Sequence, residues 1–296
     1  TFDEYPQWKA DLLVGLARKG AGFLHIDASD PELMADVDPQ RFIRMRKAGA
    51  PKIAEYRQAT MTNAVPWAIG AVPVPSWARK VFPDCSEEEA MDKLWDAILK
   101  TSRVTDDPIQ AWEDHNRDLH DRCEYLNNLH IRELRYKSSN GTDFTVGMIP
   151  EAQFCGGGET SLQGIFFNPN IPTEECFISP KRGEAEGIVY ASKPLSYQGQ
   201  LIENFSVRFE KGKAVEVKAE KGEELLKTMI AMDDGASYLG ECALVPQHSP
   251  IAESGILFYN TLFDENAACH LALGMGFADT IKDCLLYTSD AADDKA

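Results

Sequence analysis

The sequence predicts a mixed α/β protein: a layered α/β part at the N-terminus, then a strand-rich α+β part. Three observations carry that reading. In the first hundred residues, stretches with apolar residues at helical spacing alternate with short apolar runs bounded by turn residues. After Ile131 the spacing shortens to two, and the turn residues are those of hairpins. The 296 residues, 44% hydrophobic and 26% charged, suffice for a sizeable core and favour two domains.

Trp8 to Arg18 has the apolar spacing of one helix face, Gly22 to Ile26 is a short apolar run closed by Asp27, and Pro39 to Thr60 is a long amphipathic pattern. Val65 to Val74, with its prolines, reads as a strand with a turn at each end. Glu87 to Leu99 is a helix capped by Ser86, with acids in its first turn where they suit the helix dipole. Pro108 to Leu126 is a further helix. Glu133 to Lys137 and Asp143 to Ile149 flank Asn140-Gly141, whose residues tolerate the positive φ that a tight hairpin demands. A second hairpin is expected from Ile202 to Phe209 and Ala214 to Ala219 around Lys211-Gly212-Lys213, then a helix over Glu223 to Met232. The boundary falls near residue 105, in Val104-Thr-Asp-Asp-Pro108, which divides the chain into domains 1–105 and 106–283. Residues 284–296 are small, acidic and unpatterned and resemble the read-through of a sequencing adapter, so a non-native tail is expected there.

Net charge is −17 and the basic residues form no stripe, which argues against nucleic acid as a partner. No apolar run approaches the roughly 20 residues of a membrane span. Seven cysteines, an odd number without a Cys-x-x-Cys pair, argue against a disulfide framework or a zinc knuckle and fit a reducing cytoplasm. The chain opens on Thr1 without a leader pattern, as an internal fragment does.

Chemistry concentrates between Gly235 and Phe277. Glu241 lies in Tyr-Leu-Gly-Glu-Cys-Ala-Leu-Val, where the neighbours suit a buried strand, and Glu265 and His270 share an equally apolar run. A buried carboxylate is costly unless paired, protonated or bound to a cation. Glu174 and Glu175 follow a Pro-Asn-Ile-Pro turn in an expected strand, so only one of them can face a given pocket. Carboxylates with imidazole and no clustered thiolates suit zinc, cobalt or manganese, and leave open the ordinary reading of surface glutamates and a core histidine. There is no His-Glu-x-x-His helix. Gly156-Gly157-Gly158-Glu159-Thr160 lacks the lysine of a phosphate loop and reads as a tight turn or a wall of the site. Cys269 and His270 are adjacent and on an extended chain point apart, which argues against a thiol protease pair. The histidines at 25, 115, 120, 130 and 248 share no ligand spacing and read as structural or solvated.

Asn170-Ile-Pro-Thr-Glu-Glu175, Ser192-Lys-Pro-Leu-Ser-Tyr-Gln-Gly199, Leu239-Gly-Glu241 and Phe258-Tyr-Asn-Thr-Leu-Phe-Asp-Glu-Asn266 through His270-Leu-Ala-Leu-Gly274 resemble the thermophilic-type metalloaminopeptidases, also called aminopeptidase T or S. The likeness is strongest from about Gly164 to Gly276. It implies a homodimeric two-metal exopeptidase with an enclosed chamber, acting on peptides with a free N-terminus. It also implies Glu175, Glu241, Glu265 and His270 as metal ligands, with Glu241 bridging two divalent ions of zinc, cobalt or manganese. A free carboxylate would take the proton of the activated water, and Glu174 is the candidate for that base. Two departures stand out. Phe277 occupies a place where many members have Tyr, and the family's final His-x-Asp-Phe motif is absent. On this reading the N-terminal domain is partial, the catalytic domain is incomplete, and the chain as written is expected to be inactive. The rival readings are a phosphate-binding or other small-ligand module at Gly156 to Thr160 and a non-catalytic protein of the same fold.

Overall fold

Helix and strand alternate as expected through the first half of the computed structural model, which describes residues 3–197 and 199–281. The expected tail, 284–296, lies outside the described residues. The order is α1 (Gln7–Arg18), β1 (Phe23–Asp27), α2 (Pro39–Gly49), a 3-10 turn (Ala50–Ile53), α3 (Ala54–Met61), β2 (Trp67–Ala71), α4 (Pro75–Val81), α5 (Glu87–Thr101) and α6 (Pro108–Asn128). The amphipathic stretch expected over Pro39 to Thr60 is therefore two helices. Pro51, which has no N–H to donate to a continuing helix, sits in the 3-10 turn between them. Strands β1 and β2 pair in parallel, Phe23 opposite Trp67 and Asp27 opposite Ala71, and α2 and α3 form the crossover that parallel pairing requires.

The second half runs β3 (Glu133–Lys137), β4 (Asp143–Met148), β5 (Glu159–Thr160), β6 (Phe166–Phe167), β7 (Cys176–Ile178), β8 (Pro180–Tyr190), β9 (Leu195–Tyr197), β10 (Gln200–Ile202), β11 (Ser206–Glu210), β12 (Lys213–Lys218), α7 (Glu223–Ile230), β13 (Leu239–Leu244), α8 (Pro250–Ser254), α9 (Thr261–Asp264), a 3-10 turn (Glu265–Ala267) and β14 (His270–Leu273). An antiparallel five-stranded sheet has the order β12-β11-β8-β4-β3, and a three-stranded sheet has the order β14-β13-β7. Both expected hairpins form. In the first, the Asn140 side chain accepts from the Thr142 N–H at 3.0 Å. In the second, Lys211 and Gly212 both take positive φ, 50° and 79°, as a tight hairpin turn requires.

Two apolar cores hold these layers. The larger joins Leu119 and Cys123 of α6 to Phe144, Val146, Cys176, Ile178, Phe209 and Cys242 of the two sheets. The smaller joins Trp77 of α4 and Leu94 and Ile98 of α5 to Ile251, Phe258 and Phe263. This second core draws on both sides of residue 105, so the boundary expected there does not coincide with a break in packing. Strand β2 also reaches forward: the Ile69 N–H donates to the Pro169 carbonyl at 2.7 Å, and the Ile171 N–H donates back to Ile69 at 2.9 Å. No helix among the described residues is long and apolar enough to cross a membrane.

Candidate metal centre

The three-stranded sheet builds the site by alternation. Its pairing sets Ala243 of β13 opposite His270 of β14 on one side and opposite Phe177 of β7 on the other. Residues two apart share a face, so Glu241, Ala243, His270 and Phe177 point one way, and Glu175, just ahead of β7, joins them. Cys176, Ile178 and Cys242 point the other way, into the larger core, with Cys242 fully buried. Burial of that apolar face thus forces the polar residues of three strands onto the opposite face. The methyl of Ala243 leaves room between them.

On that face one ligand atom from each of Glu175, Glu241 and His270 lies within 4.8 Å of the other two. His270 Nε2 is 2.9 Å from Glu175 Oε2. Both atoms are buried. His270 Nδ1 donates to the Ala268 carbonyl at 3.1 Å, which orients the ring and turns Nε2 toward Glu175. Without a cation the two atoms share a proton, and a divalent ion would take that proton's place. The donor set of two carboxylates and an imidazole suits a divalent ion of the zinc, cobalt or manganese kind.

The electrostatics agree. Burial, then repulsion from Glu175, raises the Glu241 carboxyl to about 7. Burial and Glu175 raise that of Glu265 to about 8. Burial opposes charge on His270, but the adjacent Glu175 and the other two glutamates outweigh it and raise the imidazole to about 10. These groups repel or protonate one another in the absence of a cation, and a divalent ion would hold the carboxylates ionised and the imidazole neutral. Glu265, in the 3-10 turn, feels the cluster without belonging to its closest trio.

Glu175 and Glu241 line a cavity of about 300 Å³. Its far wall comes from the first half of the chain: His25 on β1, Tyr56 on α3, Trp67 and Ile69 on β2. His25 Nε2 lies 2.9 Å from the Tyr56 hydroxyl. His25, read from sequence as structural or solvated, is exposed and faces this cavity. Glu159 and Asp279 also line it, and burial, then Asp279, raises the Glu159 carboxyl to about 7. Tyr56, Trp67, Ile69 and Asp279 carry no local signal of this role, whereas Glu159 lies in the glycine segment. The glycine segment is a wall, as one reading had it: Gly157 lines the cavity, and β5 rather than a helix follows. Phe277 packs its ring on Phe177 at 5.2 Å and adds apolar surface.

Glu174 does not face the cavity, and it lies ahead of β7 rather than in a strand. Its side chain is turned inward, and both oxygens accept from Arg103, at 2.5 and 2.9 Å. The carboxylate expected to act as the base thus faces Arg103 and does not line the cavity. Cys269 is exposed and His270 faces the site, so the two do point apart.

Fold and donor set together fit a metallopeptidase. The description "Thermophilic metalloprotease (M29)" matches residues 1–295, and the chain belongs to that family. It is 47% identical over 282 residues to Aminopeptidase 2 of Geobacillus stearothermophilus, covering 95% of this chain and 68% of that one. It is 42% identical over 281 residues to Aminopeptidase T of Thermus thermophilus, covering 95% and 69%. The solved structure of wild-type AmpT from Thermus thermophilus superposes with a TM-score of 0.87 at 41% identity, covering 97% of this chain and 71% of that one. Family and relatives make the chain a metal-dependent aminopeptidase, a hydrolase of the exopeptidase class.

Proposed function

We propose that this protein removes N-terminal residues from peptides at two divalent ions of zinc, cobalt or manganese, held by Glu175, Glu241, Glu265 and His270. The observation that carries this reading is the convergence of Glu175, Glu241 and His270, with Glu175 Oε2 and His270 Nε2 buried and 2.9 Å apart. When bound, such ions polarise a scissile carbonyl and make water acidic enough to attack it near neutral pH. Glu241 lies on the central strand of its sheet and would hold the bridging position. Glu175 and His270, in contact with each other, would hold one ion with it, and Glu265 would add the further carboxylate. Glu159, on the cavity wall with its carboxyl near 7, would take the proton-accepting role in place of Glu174, which does not line the cavity. Trp67, Ile69, Phe177 and Phe277 give the cavity an apolar lining for the first side chain.

A reducing, cytoplasmic setting belongs to the same reading and is supported by the described cysteines, which are all free. So does a homodimer, supported by the apolar side chains that α1 and β1 leave exposed, such as Trp8, Leu12, Leu24 and Ile26. The test is cleavage of amino-acid p-nitroanilides and short peptides beside their N-acetylated forms. Free amines should be cleaved, blocked ones refused, and a chelator should abolish turnover. Equal cleavage of blocked and free substrates overturns the exopeptidase reading.

A further inference from the structure

The segment that carries Glu175 has an unusual support. Residues 173–175 lie between a turn and β7 and belong to no strand, so no sheet ladder fixes their backbone. Side chains from three distant elements do so instead. His115 of α6 donates from Nε2 to the Thr173 carbonyl at 2.7 Å. Asn266, fully buried, accepts from the Glu174 N–H at 2.7 Å and donates from Nδ2 to the Leu262 carbonyl at 3.1 Å. Arg103, just past α5, grips both oxygens of Glu174, which is 2% exposed.

We propose that Glu174 is a positioning residue: its pairing with Arg103, together with His115 and Asn266, fixes the 173–175 backbone so that the next side chain, Glu175, meets His270 on the metal face. The inference rests on the metal reading above. Its logic is that of alternation: with the chain extended, the inward pull on Glu174 turns Glu175 outward. Burying two charges is a poor way to gain stability, since an apolar pair of similar volume often serves as well. A fork that reads a carboxylate bidentately does restrict direction. Asn266 adds a second restraint, because it directly follows Glu265 and so ties the backbones of two proposed ligands together.

The experiment uses two variants, zinc as the probe, and three readouts: zinc affinity by competition with a chromophoric chelator, melting of the metal-free protein, and turnover. Arg103→Met with Glu174→Met replaces the ion pair by apolar groups. The expected result is a fold that melts within a few degrees of the parent and a loss of about 10 to 100-fold in zinc affinity, as for other groups that orient metal ligands. Glu174→Gln keeps the backbone donor and the shape of the pair, so zinc binding should fall only a few-fold, with turnover following it. A folded double variant with parental zinc affinity overturns the proposal. So does a Glu174→Gln that keeps zinc and loses all turnover, since that marks Glu174 as the base. Failure of the metal reading itself shows differently: the parent would take up no zinc, or Glu241→Gln would leave uptake unchanged.

Discussion

Gly156 is where one added carbon tests the geometry of the metal face. A Cβ on Gly156 would lie 2.4 Å from the backbone carbonyl oxygen of Glu175 and 3.4 Å from Cys123 Sγ. Real Cβ contacts begin near 3.0 Å, so relief needs a shift of roughly 0.6 Å. Neither side yields easily. The Cys155 N–H donates to the Phe177 carbonyl at 2.9 Å and the Phe177 N–H donates back at 2.8 Å, which locks the glycine segment to β7. The obstacle is backbone, so no rotamer change absorbs it. A metal site tolerates ligand displacements of about 0.2 Å, and catalytic constellations about 0.5 Å. Gly156→Ala should therefore weaken zinc binding by about 10-fold or more and cost about 1–3 kcal/mol of stability by overpacking. The assay is chelator competition for zinc together with calorimetric melting of the metal-free protein. Gly15→Ala is the control: that position lies inside α1 with nothing within 4 Å, and alanine there should be neutral or stabilising. Parental zinc affinity and melting in Gly156→Ala would refute the claim that backbone contact at Glu175 sets the site.

Glu241→Gln keeps the shape of the bridging group and removes its charge, so metal content by elemental analysis and turnover should fall together; unchanged metal content would sink the bridging role. Glu159 gives a pH signature. Burial, then Asp279, raises its carboxyl from 4.5 to about 7, so the folded state binds that proton more tightly than the unfolded chain does. The stability it contributes is full below about 4.5 and is lost as pH rises through about 7. Glu159→Gln should flatten the fall in melting temperature of the metal-free protein between those limits, and an identical pH slope in parent and variant would count against the shift. The same variant should lower turnover while leaving zinc affinity near that of the parent, if Glu159 accepts the proton.

The sequence by itself determined what depends on near neighbours. Asn140-Gly141 and Lys211-Gly212 mark their hairpins because what makes the turn, the Asn140 side-chain bond to Thr142 and the tolerance of glycine for positive φ, lies within it. The helices at Glu87 and Pro108 are legible because spacing and caps lie within each segment. Glu241 and His270 stand out for the same reason, as polar groups in apolar strands whose alternation fixes one face for each. Pro51 shows the limit of periodicity, since the amphipathic pattern runs through a residue that cannot continue the helix. Only the tertiary structure decided which side chains meet. The register that sets Ala243 between Phe177 and His270 brings Glu175 to the cluster, and pairing register is a property of three strands together. Arg103 reaches Glu174 across 71 positions of sequence, and Asn266 reaches it across 92. His25 and Tyr56 enter the cavity because β2 docks on the segment ahead of Glu175. The core that joins Trp77 to Phe258 crosses the break expected near 105, because apolar burial ignores chain order once the helices have formed. Local chemistry names the candidates, and long-range packing selects their partners.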